Sequence, residues 1–245
     1  MTPQDRFILV TGGARSGKST FAEKLAAQLA EPLGGRVTYL ATSETNDVEM
    51  VARVAAHRAA RPAAWTTVEC PLEAPAGVRE HAGAGAQTGS ATSDAQTGFA
   101  ASGGPAGPPV FLLDCVTFWV TNLLFAGGAF GGSAPPDEGF NYEKDLLPAD
   151  EERAASARVS AGVADLLAAL AETGATMIAV SNEVGLGVVP EYPLARLYRD
   201  QLGWANQRLA AAADRVYFLV AGFPLDVTAL AASPLTPSPL KESDQ

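Results

Sequence analysis

The chain has 245 residues, of which 47% are hydrophobic, and a formal net charge of −10. This length and apolar content suit one α/β domain with a sizeable core. The acidic balance argues against a nucleic-acid-binding protein and against a protein that binds an anionic membrane. The two cysteines, Cys70 and Cys115, lack metal-site spacing and indicate free thiols in a reducing cytoplasm.

The first predicted element is an apolar strand at residues 7–11, and the residues before it lack the layout of a signal peptide. It runs into Gly-Gly-Ala-Arg-Ser-Gly-Lys-Ser, the pattern G-x-x-x-x-G-K-[ST] of a phosphate loop between a strand and a helix. Glycines allow backbone N–H groups to converge on phosphate oxygens, and the dipole of the following helix favours the same anion. Lys18 is expected to reach the β- and γ-phosphates, and Ser19 to hold Mg²⁺. The residues assigned to nucleotide binding here are Gly12, Gly13, Ala14, Arg15, Ser16, Gly17, Lys18 and Ser19.

Further apolar runs predict strands at residues 37–41, 110–114, 176–181 and 215–220, separated by helical patterns. Strands that alternate with helices predict a mostly parallel, doubly wound sheet. The longest predicted helices cover residues 154–170 and 194–213. The most membrane-like stretch, residues 110–130, contains Asp114 and several polar residues, so we interpret it as a buried strand that leads into a helix.

Three stretches break this alternation. Residues 71–109 are dominated by Ala, Gly, Ser, Thr and Pro, which predicts a low-complexity insertion with a flexible middle at about 83–108. A second loop rich in Gly, Ala and Pro covers residues 126–136. The tail, residues 231–245, is predicted to be disordered. The prediction is thus a single domain, residues 1–230, with one insertion and a tail.

Residues 46–62 carry the second functional signal. Asn46 and Glu49 resemble a capping box, and Pro62 would end the helix. Arg53, His57 and Arg61 are four residues apart, so they share one helical stripe. From the pattern alone, a solvated basic face is favoured. The functional alternative is an imidazole that attacks a nucleotide α-phosphate while arginines stabilise the developing charge.

Several ordered motifs together resemble the bifunctional cobinamide kinase / cobinamide-phosphate guanylyltransferase family of CobU or CobP type. The resemblance covers most of residues 7–228. Trp204 departs from it, because family members usually carry an arginine there. The motifs are the phosphate loop, residues 39–43, the helix with Arg53, His57 and Arg61, residues 112–117 with 121–124, residues 181–185 with 189–190, and residues 206–207 with 213–214.

The resemblance implies an α/β P-loop NTPase of RecA-like type, with three layers and a mostly parallel central sheet. It implies two steps: an NTP phosphorylates (adenosyl)cobinamide, and GMP then passes from GTP, through guanylylated His57, to give (adenosyl)GDP-cobinamide. ATP and GTP are the expected substrates, Mg²⁺ the cofactor, and a cytoplasmic homo-oligomer such as a trimer the expected form. Further nucleotide contacts implied by the resemblance are Ser43, Glu44, Thr45, Arg58, Ala59, Ala60, Arg61, Glu69 and Asp114.

The residue pattern also supports a role for Asp114 independently of the resemblance. It ends an apolar strand, as a Mg²⁺-binding carboxylate does in P-loop proteins. Ser43 follows a strand at the edge where open α/β sheets bind ligands. Two rival functions stay open at this stage. One is a monofunctional P-loop kinase of a small metabolite, which would not need His57. The other is a nucleotide-binding switch module. A GTPase switch usually carries an Asn-Lys-x-Asp guanine motif, and the comparable strand end here, Ser181-Asn182-Glu183-Val184, lacks it.

Overall fold

Seven strands form one sheet in the computed structural model, which describes residues 5–43, 62, 64–83, 109–126 and 148–230. The spatial order is β3-β2-β4-β5-β1-β6-β7, and every neighbouring pair is parallel except β6 with β7. The strands are β1 Phe7–Gly12, β2 Val37–Ala41, β3 Thr66–Glu69, β4 Val110–Asp114, β5 Thr176–Val180, β6 Arg215–Val220 and β7 Phe223–Asp226.

Helices cover both faces of this sheet. Helix α1 packs on one face, where Leu25 joins a core cluster with Ile8 and Val10. Helices α2 to α5 pack on the other face, around Phe111 and Trp119. Strands buried on both faces are apolar throughout, which explains the continuous apolar runs. The helices are α1 Lys18–Ala30, followed by a 3₁₀ turn Glu31–Leu33, then α2 Ala74–Ala82, α3 Val116–Phe125, α4 Ala149–Thr173, α5 Pro193–Ala212 and α6 Val227–Leu230.

The predicted α/β architecture with a mostly parallel sheet is confirmed. The five predicted strands end within one residue of the observed ones, and both long helices are present, although α4 is longer than residues 154–170. Strands β3 and β7 were missed. Both lie at sheet edges, and β7 is largely exposed and contains Pro224. An edge strand buries little surface, so it leaves a weak apolar pattern in the sequence.

The interpretation of residues 71–109 needs one correction, because its first part is packed structure. Residues 74–82 form helix α2, whose Ala74 and Val78 are fully buried. Arg79 pairs with Asp165 and Glu172 of α4 at 2.6 and 2.7 Å. An Ala-rich composition suits a helix as well as a loop, which is why composition alone misled. Residues 84–108, 127–147 and 231–245 lie outside the described residues.

Helix α4 is, among the described residues, the one helix long and apolar enough by length and composition to cross a membrane. In this fold it packs against α2, α3 and α5. One side of it is buried in the core through Val159, Val163 and Leu166. The stretch that looked most membrane-like in the sequence is instead buried strand β4 followed by α3, as expected.

Candidate functional site

The phosphate loop joins β1 to α1 at the carboxyl edge of the sheet. Gly12 ends β1 with a φ of 148°, and a Cβ there would lie 2.5 Å from the Leu219 carbonyl oxygen. Gly17, with a φ of 93°, precedes the first residue of α1. Both backbone conformations favour glycine, so these two glycines of the motif are required by the loop's shape.

Neighbouring strand ends hold this loop in place. The Glu183 N–H donates to the Gly12 carbonyl at 3.0 Å, and the Gly222 N–H donates to the Ser16 carbonyl at 3.0 Å. The first bond comes from the residues after β5, and the second from the tight turn between β6 and β7. The loop backbone is therefore fixed by contacts from two distant parts of the chain.

Lys18 lies within this loop. Its side chain is largely buried, and its Nζ donates to the Gly13 carbonyl at 2.5 Å and to Ser16 Oγ at 3.5 Å. Burial lowers the pKa of the Lys18 ammonium, while the Asp114 carboxylate opposes that shift. A buried ammonium beside the loop backbone is well placed to bind phosphate oxygens.

Asp114 lies at the end of β4, two strands from β1, and the sheet register places it level with Val180 of β5 and Val10 of β1. Tyr39 donates its hydroxyl to Asp114 Oδ2 at 2.8 Å, which orients the carboxylate. Ser19 lies in the first turn of α1. Carboxylate and hydroxyl oxygens are ligands that Mg²⁺ accepts, usually with phosphate oxygens and water completing its shell. The residues present therefore fit a Mg²⁺–nucleotide site.

Strands β2 and β3 bring two more predicted contacts to the same edge. In the sheet register, Glu69 and Asp114 both lie beside Ala41, on opposite sides. Ser43 follows two residues after Ala41. Glu69, Ser43 and Asp114 thus lie at neighbouring strand ends. The remaining predicted site residues lie outside the described residues: Glu44, Thr45, His57, Arg58, Ala59, Ala60 and Arg61.

A set of polar side chains at these strand ends had no role assigned from the sequence. Thr42, which is fully buried, donates its hydroxyl to the Cys115 carbonyl and accepts the Cys115 N–H, both at 2.8 Å. Asn122 Nδ2 donates to the carbonyls of Thr42 and Pro71 at 2.8 and 2.9 Å. Both residues lie within motifs that carry the family resemblance, residues 39–43 and 121–124, and each is a polar residue directly after an apolar strand or inside an apolar helix.

A similar connection joins α3 to the end of β5. Asn182 donates its backbone N–H and its Nδ2 to Thr117 Oγ1, at 2.9 and 3.1 Å. Ser181 donates to Asn206 Oδ1 at 2.6 Å, and Asn206 Nδ2 donates to the Asn182 carbonyl at 3.1 Å. Helix α3, which begins two residues after Asp114, is thereby bonded to the ends of β2 and β5.

Trp204, where the chain departs from the resembled family, lies on α5 and packs against the core on the α2–α5 face. The Arg208 guanidinium lies 5.2 Å from the centre of its ring, a cation–π distance. Its indole N–H is buried without a hydrogen-bond partner. The position is part of the packing between α5 and the rest of the core.

A family model described as "Cobinamide kinase / cobinamide phosphate guanyltransferase" matches residues 8–89 and 91–227. The chain belongs to this family. It is 39% identical over 217 residues to the bifunctional adenosylcobalamin biosynthesis protein CobP of Pseudomonas aeruginosa, covering 89% of this chain and 94% of the relative. It is 40% identical over 220 residues to the CobU protein of the same description from Salmonella typhimurium, covering 90% and 98%.

The Escherichia coli CobU protein is 38% identical over 220 residues, covering 90% of this chain and 98% of the relative. Among solved structures, an ATPase domain aligns with a TM-score of 0.45 and 14% identity, over 89% of this chain and 70% of that one. The matches to the family model and to the curated relatives confirm the resemblance stated from the motifs.

Proposed function

We propose that this protein is a bifunctional enzyme that phosphorylates (adenosyl)cobinamide with a nucleoside triphosphate and then transfers GMP from GTP to the product, giving (adenosyl)GDP-cobinamide. The observation that carries the proposal is the phosphate loop with Lys18 buried in it and Asp114 at the same edge of the sheet, in a chain of the cobinamide kinase / cobinamide phosphate guanyltransferase family.

In the kinase step, the loop backbone and Lys18 bind the phosphates of the donor. The acceptor hydroxyl of cobinamide attacks the γ-phosphorus and gives up its proton to water, the bond between that phosphorus and the bridging oxygen breaks, and the nucleoside diphosphate leaves. Ser19 and Asp114 would hold Mg²⁺, which neutralises charge on the phosphates when bound. The Tyr39 hydroxyl keeps the Asp114 carboxylate oriented toward this edge.

In the guanylyl-transfer step, the neutral imidazole of His57 attacks the α-phosphorus of GTP and pyrophosphate leaves, so that GMP is bound through a phosphorus–nitrogen bond. The phosphate of cobinamide phosphate then attacks the same phosphorus and displaces the histidine. Arg53, Arg58 and Arg61 stabilise the charge that develops. The spacing of these residues in the sequence and the family supports this step. Ser43 and Glu69, with Glu44, Thr45, Ala59 and Ala60, contact the nucleotide.

The test is to incubate the protein and Mg²⁺ with GTP labelled at the α-phosphate and then run denaturing electrophoresis. We expect label on the protein that acid removes and base leaves in place, as a phosphoramidate behaves. His57→Asn should abolish it. His81→Asn is the matched control, because His81 lies on α2 with Nδ1 3.0 Å from the Gly77 carbonyl, and it should label like the wild type.

The outcomes separate the rival functions. A wild-type protein that binds GTP and phosphorylates cobinamide without becoming labelled would be a monofunctional kinase, and the proposal would be wrong. Label that persists in His57→Asn would place the acceptor elsewhere. A protein that binds nucleotide and catalyses neither reaction would act as a nucleotide-binding switch.

We also propose a cytoplasmic homo-oligomer, a trimer, that neither binds nucleic acid nor inserts stably into a membrane. The net charge of −10 supports the two exclusions. Exposed apolar side chains in the described residues support oligomerisation: Leu186, Val188 and Val189 after β5, and Phe223 and Leu225 in β7. Light scattering coupled to size-exclusion chromatography tests it, and a single monomer peak at micromolar concentration would contradict it.

A further inference from the structure

The ends of β2 and β3 are joined by one backbone bond, from the Cys70 N–H to the Ala41 carbonyl at 2.9 Å, and beyond it by side chains of α3. After that bond the two segments make no further backbone pair in the described sheet, and the chain continues through Thr42 on one side and Pro71 on the other. Asn122 donates its two Nδ2 hydrogens to the Thr42 and Pro71 carbonyls. One amide group therefore joins both strand ends.

The same helix makes a second contact of this kind one turn earlier. Trp119, three residues before Asn122, donates its indole N–H to the Leu72 carbonyl at 2.8 Å. Residues three apart lie on one helical face, so this face of α3 binds three carbonyls that follow β2 and β3. Helix α3 itself begins directly after Asp114 and Cys115, and the Thr42 hydroxyl is bonded to the Cys115 backbone. The strand ends are therefore held at a set position relative to Asp114.

We propose that Asn122 is a positioning residue for guanylyl transfer. This role rests on the proposed function. By binding the carbonyls of Thr42 and Pro71, Asn122 fixes the positions of Ser43 and Glu69 relative to the phosphate loop and Asp114. Ser43 directly follows Thr42, and Glu69 lies two residues before Pro71. Asn122 touches no reacting atom in this role. A displacement of about 1 Å at a nucleotide contact can cost on the order of 100-fold in rate, so a small movement of these strand ends would slow the reaction.

The residues that shape the phosphate loop do not depend on this contact. Gly12 and Ser16 are held by the Glu183 and Gly222 backbones. Loss of the Asn122 amide should therefore change guanylyl transfer more than phosphorylation. That difference separates positioning from a general loss of stability, which would reduce both reactions together.

The experiment compares Asn122→Leu with Gln201→Leu. Leucine keeps the branched shape of asparagine, and in both variants it removes the amide donors. Gln201 is a buried amide whose Nε2 donates to Ser156 Oγ at 3.0 Å, joining α5 to α4 away from the strand ends. For each variant we would measure the protein-labelling rate with α-labelled GTP over a range of GTP concentrations, the cobinamide kinase rate, and the thermal unfolding midpoint.

For Asn122→Leu we expect the maximal labelling rate to fall by about 10-fold or more, with the kinase rate within about twofold of wild type. Gln201→Leu should leave the ratio of the two rates unchanged. Equal losses of both activities in Asn122→Leu, or wild-type labelling in that variant, would overturn the inference. If the wild type itself shows no label, the proposed function fails instead, and the two failures are distinct.

A second pair of variants tests the same connection if Asn122→Leu does not fold. Thr42→Val keeps the shape of the buried side chain and removes its hydroxyl, whereas Thr42→Ser keeps the hydroxyl. We expect slowed labelling in Thr42→Val and near wild-type labelling in Thr42→Ser. Equal labelling rates in the two variants would show that the strand-end position does not depend on these hydrogen bonds.

Discussion

The candidate site lies at the edge of the sheet where the parallel strands end, and two halves of this edge are held in shape by different interactions. In the phosphate-loop half, around β1 and α1, the shape is set by backbone conformation: Gly12 and Gly17 adopt positive φ angles, and the loop's carbonyls accept backbone N–H groups. In the β2–β3 half, side chains of α3 bind the carbonyls after each strand. A loop shaped by its backbone tolerates few residue types, whereas a site held by side chains can be loosened one hydrogen bond at a time.

The largest expected effect lies in the phosphate-loop half. Lys18→Met should reduce cobinamide kinase activity by about 10²–10³-fold, because it removes a charge that stabilises the transferring phosphoryl group. The unfolding midpoint should not fall, since the substitution removes a buried ammonium. Lys24→Met, on the exposed side of α1, is the control. Steady-state kinetics would contradict the assignment of Lys18 if the variant kept activity within a few-fold of wild type.

The backbone origin of the loop shape is tested by Gly12→Ala. The added Cβ would lie 2.5 Å from the Leu219 carbonyl oxygen at a φ of 148°, which should destabilise the fold by about 2–4 kcal/mol. Gly13→Ala is the matched control, because nothing lies within 4 Å of a Cβ at that position. Denaturant unfolding of the two variants should differ clearly, and equal midpoints would mean that Gly12 is not conformationally required.

The contrast with the β2–β3 half is tested by Trp119→Phe. This change leaves the Leu72 carbonyl without its indole donor in a buried site and should cost about 1–3 kcal/mol. Trp204→Phe removes an indole N–H that already lacks a partner, so its cost should be smaller. Chemical denaturation measures both. An equal or larger loss in Trp204→Phe would mean that the smaller ring, not the missing hydrogen bond, accounts for the cost of Trp119→Phe.

The lowered pKa of Lys18 predicts how nucleotide affinity depends on pH. Because burial lowers that pKa below 10.5, the ammonium loses its proton at a lower pH than an ordinary lysine does. Triphosphate binds the protonated form, so affinity should fall as pH rises through the lowered pKa, by at most about tenfold per pH unit. Titrations of ATP binding measure this dependence. Lys18→Met should abolish it, and an unchanged profile in that variant would assign the titration to another group.

The smallest effect on stability and nucleotide binding is expected from a change in residues 84–108, which belong to neither half. Replacing residues 84–108 with a short Gly/Ser linker should leave the unfolding midpoint and nucleotide affinity unchanged, since shortening a loop changes its closure entropy only slightly. Replacing residues 74–82 in the same way should unfold the protein, because α2 is packed against α4. A large loss of stability in the first variant would show that the segment is part of the packed core.

Most of the fold could be predicted because its signals are local. The buried strands are continuous apolar runs, and the phosphate loop needs glycine where the backbone takes positive φ, so both appear in the sequence itself. Strand β3, strand β7 and helix α2 could not be predicted in this way. The two strands lie at the edges with little buried surface, and α2 shares its Ala-rich composition with a loop.

For the candidate site, the phosphate loop with Lys18 and Ser19 and the position of Asp114 at a strand end could be predicted from the residue pattern alone. The fold was needed to show that Asp114 lies level with the end of β1, and that Thr42, Trp119 and Asn122 bind the backbone at the ends of β2 and β3. The physical reason is distance along the chain. Asn122 and Thr42 are 80 residues apart, and an amide that binds a carbonyl so far away leaves no periodic or local pattern.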